Sequence, residues 1–584
     1  MNAAAPTTAA STTTAPATAA LDTTPLDTTP RDTTAPPAPA PSAVPVGAAP
    51  DAAPTDVEVL IAGAGPTGLV LAIDLTRRGI RHRLVEQEAR GFPGSRGTGL
   101  QPRSLEVMDD LGAIAALLAS AGPIPPVQSW EGTERGREWP LVEPGDPSPH
   151  VPYPNALMCP QWRTVEVLYE RLEELGGRVD FNTGLTGFTQ DEHGVTAELR
   201  HADGTAETVR AGYLVASDGG RSAVRKALGV PFEVDIVDER HVMVADVRMT
   251  GFERAGVDRG HWHMWTSAPG GILGLRPLEL TTDTIQVMAF WADTSYRPDP
   301  ERDATPEALA RLITERTGLT GLVPEEVIWA SAFQPKAGMA ARFRTARVLL
   351  AGDAAHIHSP AGGQGLNTSL QDAYNLGWKL GAVLRHGAPD ALLDTYDAER
   401  TQVAAEVLGL STRIHGQDRS VGFERGMSRR GKETHQLTLN YRTGPLAREL
   451  RRDLPEDGLR AGDRAPDAPC TDASGAPFSL FDAFRGPHFT LLDLTGSEAV
   501  GGPAAAAVAD VEWVRVYRVG GPAPDLVDAG GHAKAAYGSG LFLVRPDGYV
   551  GLATDEAADV RAYLAQVSAP APVPAPAQAP AIRD

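Results

Sequence analysis

Val57-Glu58-Val59-Leu60-Ile61-Ala62-Gly63-Ala64-Gly65-Pro66-Thr67-Gly68 is the stretch on which the reading of this 584-residue chain turns. Its first six residues are largely apolar and partly β-branched, the pattern of a buried parallel strand, and they run straight into GxGxxG. Leu69, Ala72 and Ile73 then recur at i, i+3 and i+4, Arg77-Arg78-Gly79 stops the helix, and Arg83-Leu84-Val85 makes a second strand ending at Glu86. One βαβ unit closes within residues 57–86. Each part has a job in dinucleotide binding. Gly63 allows a tight turn, Gly65 lets a pyrophosphate approach the backbone, and Gly68 lets helix and strand pack closely. The helix N-terminus offers unpaired N–H groups to the anion, and Glu86 is placed to accept hydrogen bonds from a ribose.

The length allows about three domains with sizeable cores. The 74 acidic residues outweigh 53 Lys plus Arg, giving a net charge of −21, which argues against a binder of nucleic-acid phosphates. Arginines outnumber lysines 48 to 5, so the basic roles are mostly arginine roles, suited to bidentate contacts with a pyrophosphate. Cys159 and Cys470 are far apart and form no CxxC, so neither a disulfide scaffold nor a metal site is indicated. No run of about 18 apolar residues suggests a membrane span, and no basic segment followed by an apolar core suggests a secretory signal. A cytoplasmic protein is expected.

Residues 1–54 are rich in Ala, Thr and Pro, residues 569–584 carry a similar Ala/Pro tail, and both are expected to be disordered. Arg103 stands just ahead of helical spacing at Leu105, Met108, Leu111 and Ile114, where it could meet a phosphate or cap a surface. Residues 121–155 are rich in Pro and Gly and read as part of a second domain. Tyr213-Leu214-Val215-Ala216 is a strand that ends in Ser217-Asp218-Gly219, either a plain turn or a carboxylate at the edge of a cofactor cleft. Residues 230–337 alternate as strands and form a sheet-rich insertion in which Trp262, Met264 and Trp265 are candidate pocket residues. Val348-Leu349-Leu350-Ala351 is a buried strand closed by Gly352-Asp353. A glycine-dense loop follows, through Pro360, Gly362, Gly363 and Gly365 to Leu366 and Asn367, and then a long helix. An acid at a strand end can bind a hydroxylated chain, and glycines ahead of a helix turn N–H groups towards a negatively charged ligand.

With Gly63 to Gly68, Asp218-Gly219 and Gly352-Asp353 in this order, residues 55 to 410 resemble the group A FAD-dependent aromatic hydroxylases. The run Gly352-Asp353-Ala354-Ala355-His356-Ile357-His358-Ser359-Pro360-Ala361-Gly362-Gly363-Gln364-Gly365-Leu366-Asn367 is most similar to the members that tailor aromatic polyketides. The resemblance implies an α/β fold. It comprises a Rossmann-type FAD-binding domain (55–229 and 338–410, with 121–155 partly substrate domain), an inserted mixed β-sheet substrate domain (230–337), a helical connection (411–460) and a C-terminal thioredoxin-like domain (461–568). The last lacks CxxC, so thioredoxin redox chemistry is not expected of it; it reads as a structural or association module whose removal at 460 leaves FAD binding intact. Gly63, Gly65, Pro66, Thr67 and Gly68 would hold the FAD pyrophosphate and Glu86 the adenosine ribose. Arg103 and Gln161 would touch the FAD, Asp218 would support the cleft, and Asp353 would bind the ribitol. Pro360 would lie near the flavin, and Gly363, Gly365, Leu366 and Asn367 would present backbone donors to its pyrimidine edge. The Tyr396-x-x-Glu399-Arg400 run matches the family, with Thr401 where a proline commonly follows.

The implied activity is NADPH- and O₂-dependent hydroxylation of a polycyclic aromatic polyketide through a flavin C4a-hydroperoxide, with the flavin carrying the chemistry and no side chain assigned as catalytic. A homodimer is compatible with the reading. The alternatives are Baeyer–Villiger oxygenation on the same fold and a flavin-binding protein without oxygenase activity. No WxWxIP run points to a flavin halogenase.

Overall fold

The strand Val57–Ala62 lies at the centre of the largest sheet in the computed structural model, which describes residues 56–278, 283–420, 431–452 and 454–568. The tails expected at 1–54 and 569–584 lie outside the described residues. Val59, Leu60 and Ile61 are wholly buried, as a strand covered on both faces requires. Val57–Ala62 pairs in parallel with His82–Val85 on one side and with Ala206–Ala216 on the other, and the latter pairs in parallel with Val348–Leu350. The registers Ala62 to Val85, Ala62 to Ala216 and Ala216 to Leu350 bring the C-terminal ends of all four strands level along one edge. Open parallel sheets bind their ligands at that edge.

Two helices pack closely beside this sheet. Pro66–Arg77 follows the first turn, and Gly365–Arg385 follows the second glycine loop. A Cβ at Gly377 would come within 2.1 Å of the Asp74 carboxylate, so the helices meet where the second lacks a side chain. Asp74 is fully buried there and is neutralised by Arg77 and Arg78 at 2.6 and 2.8 Å.

The insertion is a seven-stranded sheet in the order Val323–Phe333, Val242–Thr250, Thr284–Phe290, Leu273–Pro277, Trp262–Trp265, Val127–Glu131 and Glu134–Trp139. Its side chains alternate. Met243, Ala245, Val247, Trp265, Leu275 and Val287 point to one face and pack with Leu309 and Ile313 of the helix Pro306–Thr317. Val242, Val244, Trp262, Met264, Met288 and Trp329 form the other face.

The expected helical connection over 411–460 needs correction. The helix Asp394–Ser420 covers its start, and the described residues of 431–460 form turns with one 3₁₀ turn, Lys432–His435, and a short strand, Arg448–Glu449. Gly431, Gly444 and Pro445 interrupt any helix there, since Gly and Pro are the two poorest helix formers. Arg448–Glu449 in fact opens a five-stranded sheet continued by Val550–Thr554, Leu541–Val544, Phe489–Asp493 and Val514–Arg518. That sheet shares its core with the helix Gly365–Arg385 and the turn after it: Trp378 and Ala382 of the helix and Leu392 beyond it are buried against Phe489, Leu491 and Leu543.

Candidate active site

The turn after the first strand uses two of its glycines for its own folding and leaves the third open. Gly63 has φ 101°, and a Cβ on it would lie 2.4 Å from the Ser217 carbonyl oxygen. A Cβ on Gly68 would lie 2.0 Å from the Gly63 carbonyl oxygen. Gly65 faces empty space, with nothing within 4 Å of where a Cβ would stand. It caps the helix that begins at Pro66, whose first N–H groups have no partner within the helix. Glu86 closes the turn by accepting from the Ala64 N–H at 2.9 Å, and the Ser217 hydroxyl donates to the Gly63 carbonyl at 2.8 Å. Thr67 touches the second motif, since a Cβ on Gly352 (φ 63°) would lie 2.5 Å from its hydroxyl.

Two carboxylates stand along the same edge. Asp218 Oδ2 accepts from the N–H groups of Ala223 and Val224 at 2.8 and 3.2 Å, while its Oδ1 is buried without a hydrogen-bond partner among the described residues. Asp353 is exposed to solvent, although protein surrounds it closely. Burial raises its carboxyl pKa, and the nearby His356 and Arg96 charges oppose that rise. Arg96 in turn feels both Asp353 and Arg221. Arg96 does not stand out in the sequence, because an arginine in a glycine-rich loop has no distinctive spacing.

The loop between Gly352 and Asn367 is anchored from several sides. Gly362 and Gly363 have φ of 83° and 63°. The Asn367 side chain accepts from the Gln101 N–H at 2.8 Å and donates to the Gly99 and Gly363 carbonyls at 2.9 and 2.8 Å. Its side chain is thus spent within the protein, and only its backbone, like that of Gly365 and Leu366 in the first helical turn, is available as a donor. Gln161 accepts from the Gly97 N–H at 3.0 Å, and Gly97 stands against Leu366. Pro360 is exposed, and Ser359 before it is tied through His415 (3.0 Å) to Asp238 (3.2 Å), where the insertion begins.

Arg103 is not where the resemblance put it. Its guanidinium donates to Glu106 at 2.8 Å and to the Asp547 carbonyl at 2.6 Å and lies over the Tyr549 ring. It is buried against the C-terminal module, which the sequence could not reveal because Asp547 and Tyr549 lie more than 440 residues away. Trp265 also departs from expectation. Alternation along Trp262–Trp265 sends it to the helix-covered face, stacked on Trp130 at 5.4 Å with its indole N–H on the Gly132 carbonyl. Trp262 and Met264 share the opposite face with Trp329. That face meets the cofactor side of the molecule: Arg96 donates to Ser331 at 3.2 Å and lies over Trp329, and Gln286 donates to the Ser95 carbonyl at 2.6 Å.

A profile of the FAD binding domain matches residues 56–411, and one of the aromatic-ring hydroxylase C-terminal domain matches residues 459–571. The chain belongs to the FAD-dependent aromatic hydroxylases. A flavin-dependent monooxygenase of Mycobacteroides abscessus is 41% identical over 521 residues, covering 87% of this chain and 99% of the relative. The 12-dehydrotetracycline 5-monooxygenase/anhydrotetracycline 6-monooxygenase of Streptomyces rimosus subsp. rimosus is 34% identical over 512 residues, covering 84% and 94%. Among solved structures, aklavinone-11 hydroxylase in complex with FAD and aklavinone superposes with a TM-score of 0.74 at 28% identity, covering 88% of this chain and all of that one. The hydroxylase is thus a flavin-dependent monooxygenase with a mixed α/β fold. No helix among its described residues is long and apolar enough to cross a membrane.

The residues present fit FAD. Gly65 offers a backbone cradle that a side chain would fill, Asp218 keeps an unpartnered oxygen, and Asp353 lies open in the cleft. Behind this hydroxylase's cleft the family run Tyr396-x-x-Glu399-Arg400 supplies a buried charge network. Arg400 pairs with Asp372 at 2.6 Å and donates to the Tyr441 hydroxyl at 2.9 Å, while Glu399 takes Lys379 at 2.7 Å and Arg545 at 2.7 Å. The sequence shows the motif, but its partners are scattered over three segments.

Proposed function

We propose that the protein hydroxylates a polycyclic aromatic polyketide, holding FAD along the shared strand edge and the substrate between that cofactor and the inserted sheet. Gly63 to Gly68 bind the pyrophosphate, Gly65 by direct backbone approach, and Glu86 meets the ribose. Asp353 takes the ribitol hydroxyls, and the first turn of the helix Gly365–Arg385 turns its N–H groups to the ring's pyrimidine edge, where the positive helix end favours negative charge. Trp262 and Met264, with Trp329, wall the apolar side of the substrate chamber. The C-terminal module is a thioredoxin-like domain without redox function; burial pushes the Cys470 thiol up to about 11, away from the reactive thiolate.

When bound, FAD supplies the redox chemistry, accepting a hydride from NADPH and activating O₂ for transfer of one oxygen atom to an aromatic carbon. The chain's own task is to bind, orient and keep water out. The observation that carries this reading is the level alignment of Gly63, Glu86, Asp218 and Asp353 at four strand ends, together with the contacts of Ser95 and Arg96 with Gln286, Trp329 and Ser331 of the inserted sheet. It is supported by the compounds in the relatives' names, 12-dehydrotetracycline, anhydrotetracycline and aklavinone.

The test is the absorption spectrum of the purified protein, then NADPH consumption with and without hydroxyanthraquinone and angucycline-type phenols, with product structure by NMR. A flavin spectrum with substrate-stimulated oxidation and a new phenolic hydroxyl is expected. An inserted ester oxygen would replace hydroxylation with the Baeyer–Villiger outcome, and flavin with no stimulation by any phenol would remove the substrate class.

A further inference from the structure

A single row of side chains crosses the whole inserted sheet. Trp329 pairs with Asp246, Asp246 with Gln286, and Gln286 with Arg276; beyond them Trp262 pairs with Val127 and Val127 with Trp139. Arg276 and Trp262 join the two halves. His263 pairs with Leu275 one step along the same strands, and the Arg276 guanidinium lies 4.9 Å from the centre of the Trp262 ring. Residues directly opposite across strands share a face, so the row projects to the face that Val242, Val244 and Met264 line with apolar groups. Its two charged members, Asp246 and Arg276, flank one amide. Gln286 accepts from Arg276, and its amide nitrogen donates to Asp246 Oδ1 at 2.9 Å and to the Ser95 carbonyl at 2.6 Å. With its oxygen and both amide hydrogens engaged, Gln286 is fixed. It holds Arg276 from one side while Trp262 holds it from the other.

The cover over this polar stretch is uneven. The cofactor loop lies over its first part: Gly94 and Phe92 pack on Trp329, Arg96 lies over the same ring, and Ser95 takes Gln286. Asp246 and Gln286 are buried as a result. Arg276, next along the row, is only half-buried. A guanidinium stays charged at any working pH. The row thus sets an accessible positive charge on an aromatic face, beside the residue that holds the cofactor loop.

We propose that Arg276 is a specificity-determining residue of the substrate chamber, selecting a polycycle that carries an acidic hydroxyl by taking that oxygen in its ionised form. This deepens the substrate reading above and rests on it. The aromatic body of such a ligand meets the apolar groups of the face. Its ionised oxygen meets a guanidinium already oriented by Gln286 and Trp262, so little side-chain freedom is lost on binding. The same rings without a hydroxyl offer Arg276 no anion in exchange for water. The other charged groups around the row are Asp246 behind Gln286, Arg96 over Trp329, and Arg137 over Trp139. Burial raises the Asp246 carboxyl to about 6, so it is ionised above that pH and then opposes a second anion. Arg96 and Arg137 assist one. Arg276 lies between Gln286 and Trp262, and a ligand on its open edge is nearer to it than to Asp246, which the amide separates from the chamber.

The test uses two probes on holoprotein. Alizarin is a hydroxyanthraquinone whose ionised form absorbs to the red of oxidised flavin, and anthraquinone has the same rings without hydroxyls. Wild type, Arg276→Gln, Arg276→Lys and Asp246→Asn are compared, with the ionisation of bound alizarin followed against pH. An opposite charge within about 4–6 Å lowers the pKa of an acid by about 1–3 pH units, so alizarin should ionise that much lower on wild type than in water. Arg276→Gln keeps a donor for Gln286 but no charge, and should return the ionisation to near its value in water. Its preference for alizarin over anthraquinone at neutral pH should fall by roughly tenfold or more. Arg276→Lys should keep most of the shift, and Asp246→Asn, which removes the opposing charge, should enlarge it. Anthraquinone affinity should be the same throughout. Alizarin that ionises on wild type as it does in water, or alike on wild type and Arg276→Gln, overturns the role of Arg276. Should Arg276→Gln fail to fold, Asp246→Asn decides: an enlarged shift supports the proposal, and an unchanged or smaller one overturns it. A wild-type holoprotein that binds neither compound overturns the substrate reading, and this inference with it.

Discussion

Replacing Gly65 by alanine should separate FAD binding from folding, because this glycine alone in the first turn is not used by the fold. Its φ is −70°, a conformation alanine adopts without strain, and nothing stands within 4 Å of the added methyl group. Where the backbone is compatible, Gly to Ala stabilises by roughly 0.4–1 kcal/mol through the unfolded chain, so the apoprotein should melt at or slightly above the wild-type temperature. In the holoprotein the same methyl group would occupy the space through which the pyrophosphate reaches the backbone. Overpacking a filled contact costs about 1–3 kcal/mol, and with about 1.4 kcal/mol per tenfold the FAD Kd should rise by roughly 5- to 150-fold. Gly68→Ala is the control. Its methyl group would meet a backbone carbonyl at 2.0 Å and the Ser217 hydroxyl at 2.8 Å, so apoprotein stability should fall by about 3 kcal/mol before any ligand is added. Thermal melts of both apoproteins and titration of FAD by quenching of flavin fluorescence read the two effects. Wild-type FAD affinity in a well-folded Gly65→Ala protein would show that the pyrophosphate does not sit on this glycine.

Burial raises the Asp246 carboxyl to about 6, with Gln286 and Ser95 opposing the rise. Because its folded value lies above the unfolded one, its contribution is full below about pH 4 and is lost as pH rises towards 6; Asp246→Asn should gain about 3 kcal/mol on wild type across that window in denaturant melts. Trp265→Ala should destabilise by about 3–5 kcal/mol because it empties the sheet–helix core; Trp262→Ala should instead weaken substrate binding to the holoprotein, and equal effects of the two on substrate affinity would contradict the assignment of faces. Cys470, buried and with its thiol pushed up to about 11, should resist alkylation by iodoacetamide at pH 8 until the protein is unfolded, as mass spectrometry would show.

The parts of the site that were legible in the sequence are those whose partners are local. Gly63, Gly65 and Gly68 belong to one turn, and the strand ends at Asp218 and Asp353 announce themselves by an apolar run that stops at a glycine and an acid. What was not legible depends on distant contacts. Arg103 has the spacing of a phosphate ligand, but its direction is set by Asp547 and Tyr549. Trp262 and Trp265 look alike in a cluster of aromatics, and only the phase of the strand, fixed by pairing with Val127–Glu131 and Leu273–Pro277, assigns them to opposite faces. His356 and His358 read as loop residues because the acid that orients them sits a further fourteen or more residues along a helix.

The C-terminal module bears on the site in a way its lack of CxxC conceals. Asn375 and Lys379 lie on the helix that begins at Gly365 and carries Asp372. Asn375 donates to Asp547 at 3.0 Å and to Glu399 at 2.9 Å, and Glu399 takes both Lys379 and Arg545 in complete burial. On the other side Arg464 pairs with Glu106, which also holds Arg103. Cutting the chain at 460 removes Arg464, Arg545 and Asp547 together. It leaves Glu399 with Lys379 as its one charged partner and Asn375 as a neutral donor, and bares Trp378 and Leu392, whose covering residues include Phe489, Leu491 and Leu543. Breaking one buried pair in this way costs about 3–5 kcal/mol, comparable with much of the roughly 5–15 kcal/mol that holds a domain together. The truncated protein should therefore fail to accumulate as a soluble flavoprotein, contrary to the expectation that removal of the module at 460 leaves FAD binding intact. Arg545→Ala in the full chain isolates the electrostatic part, because the apolar cover stays in place. It should lower the melting temperature while the Gly65 cradle, which caps the helix Pro66–Arg77 and takes no part in this charge network, keeps its form. A soluble 1–460 protein with the full flavin spectrum would show that the buried charges fasten the module without supporting the cofactor helix.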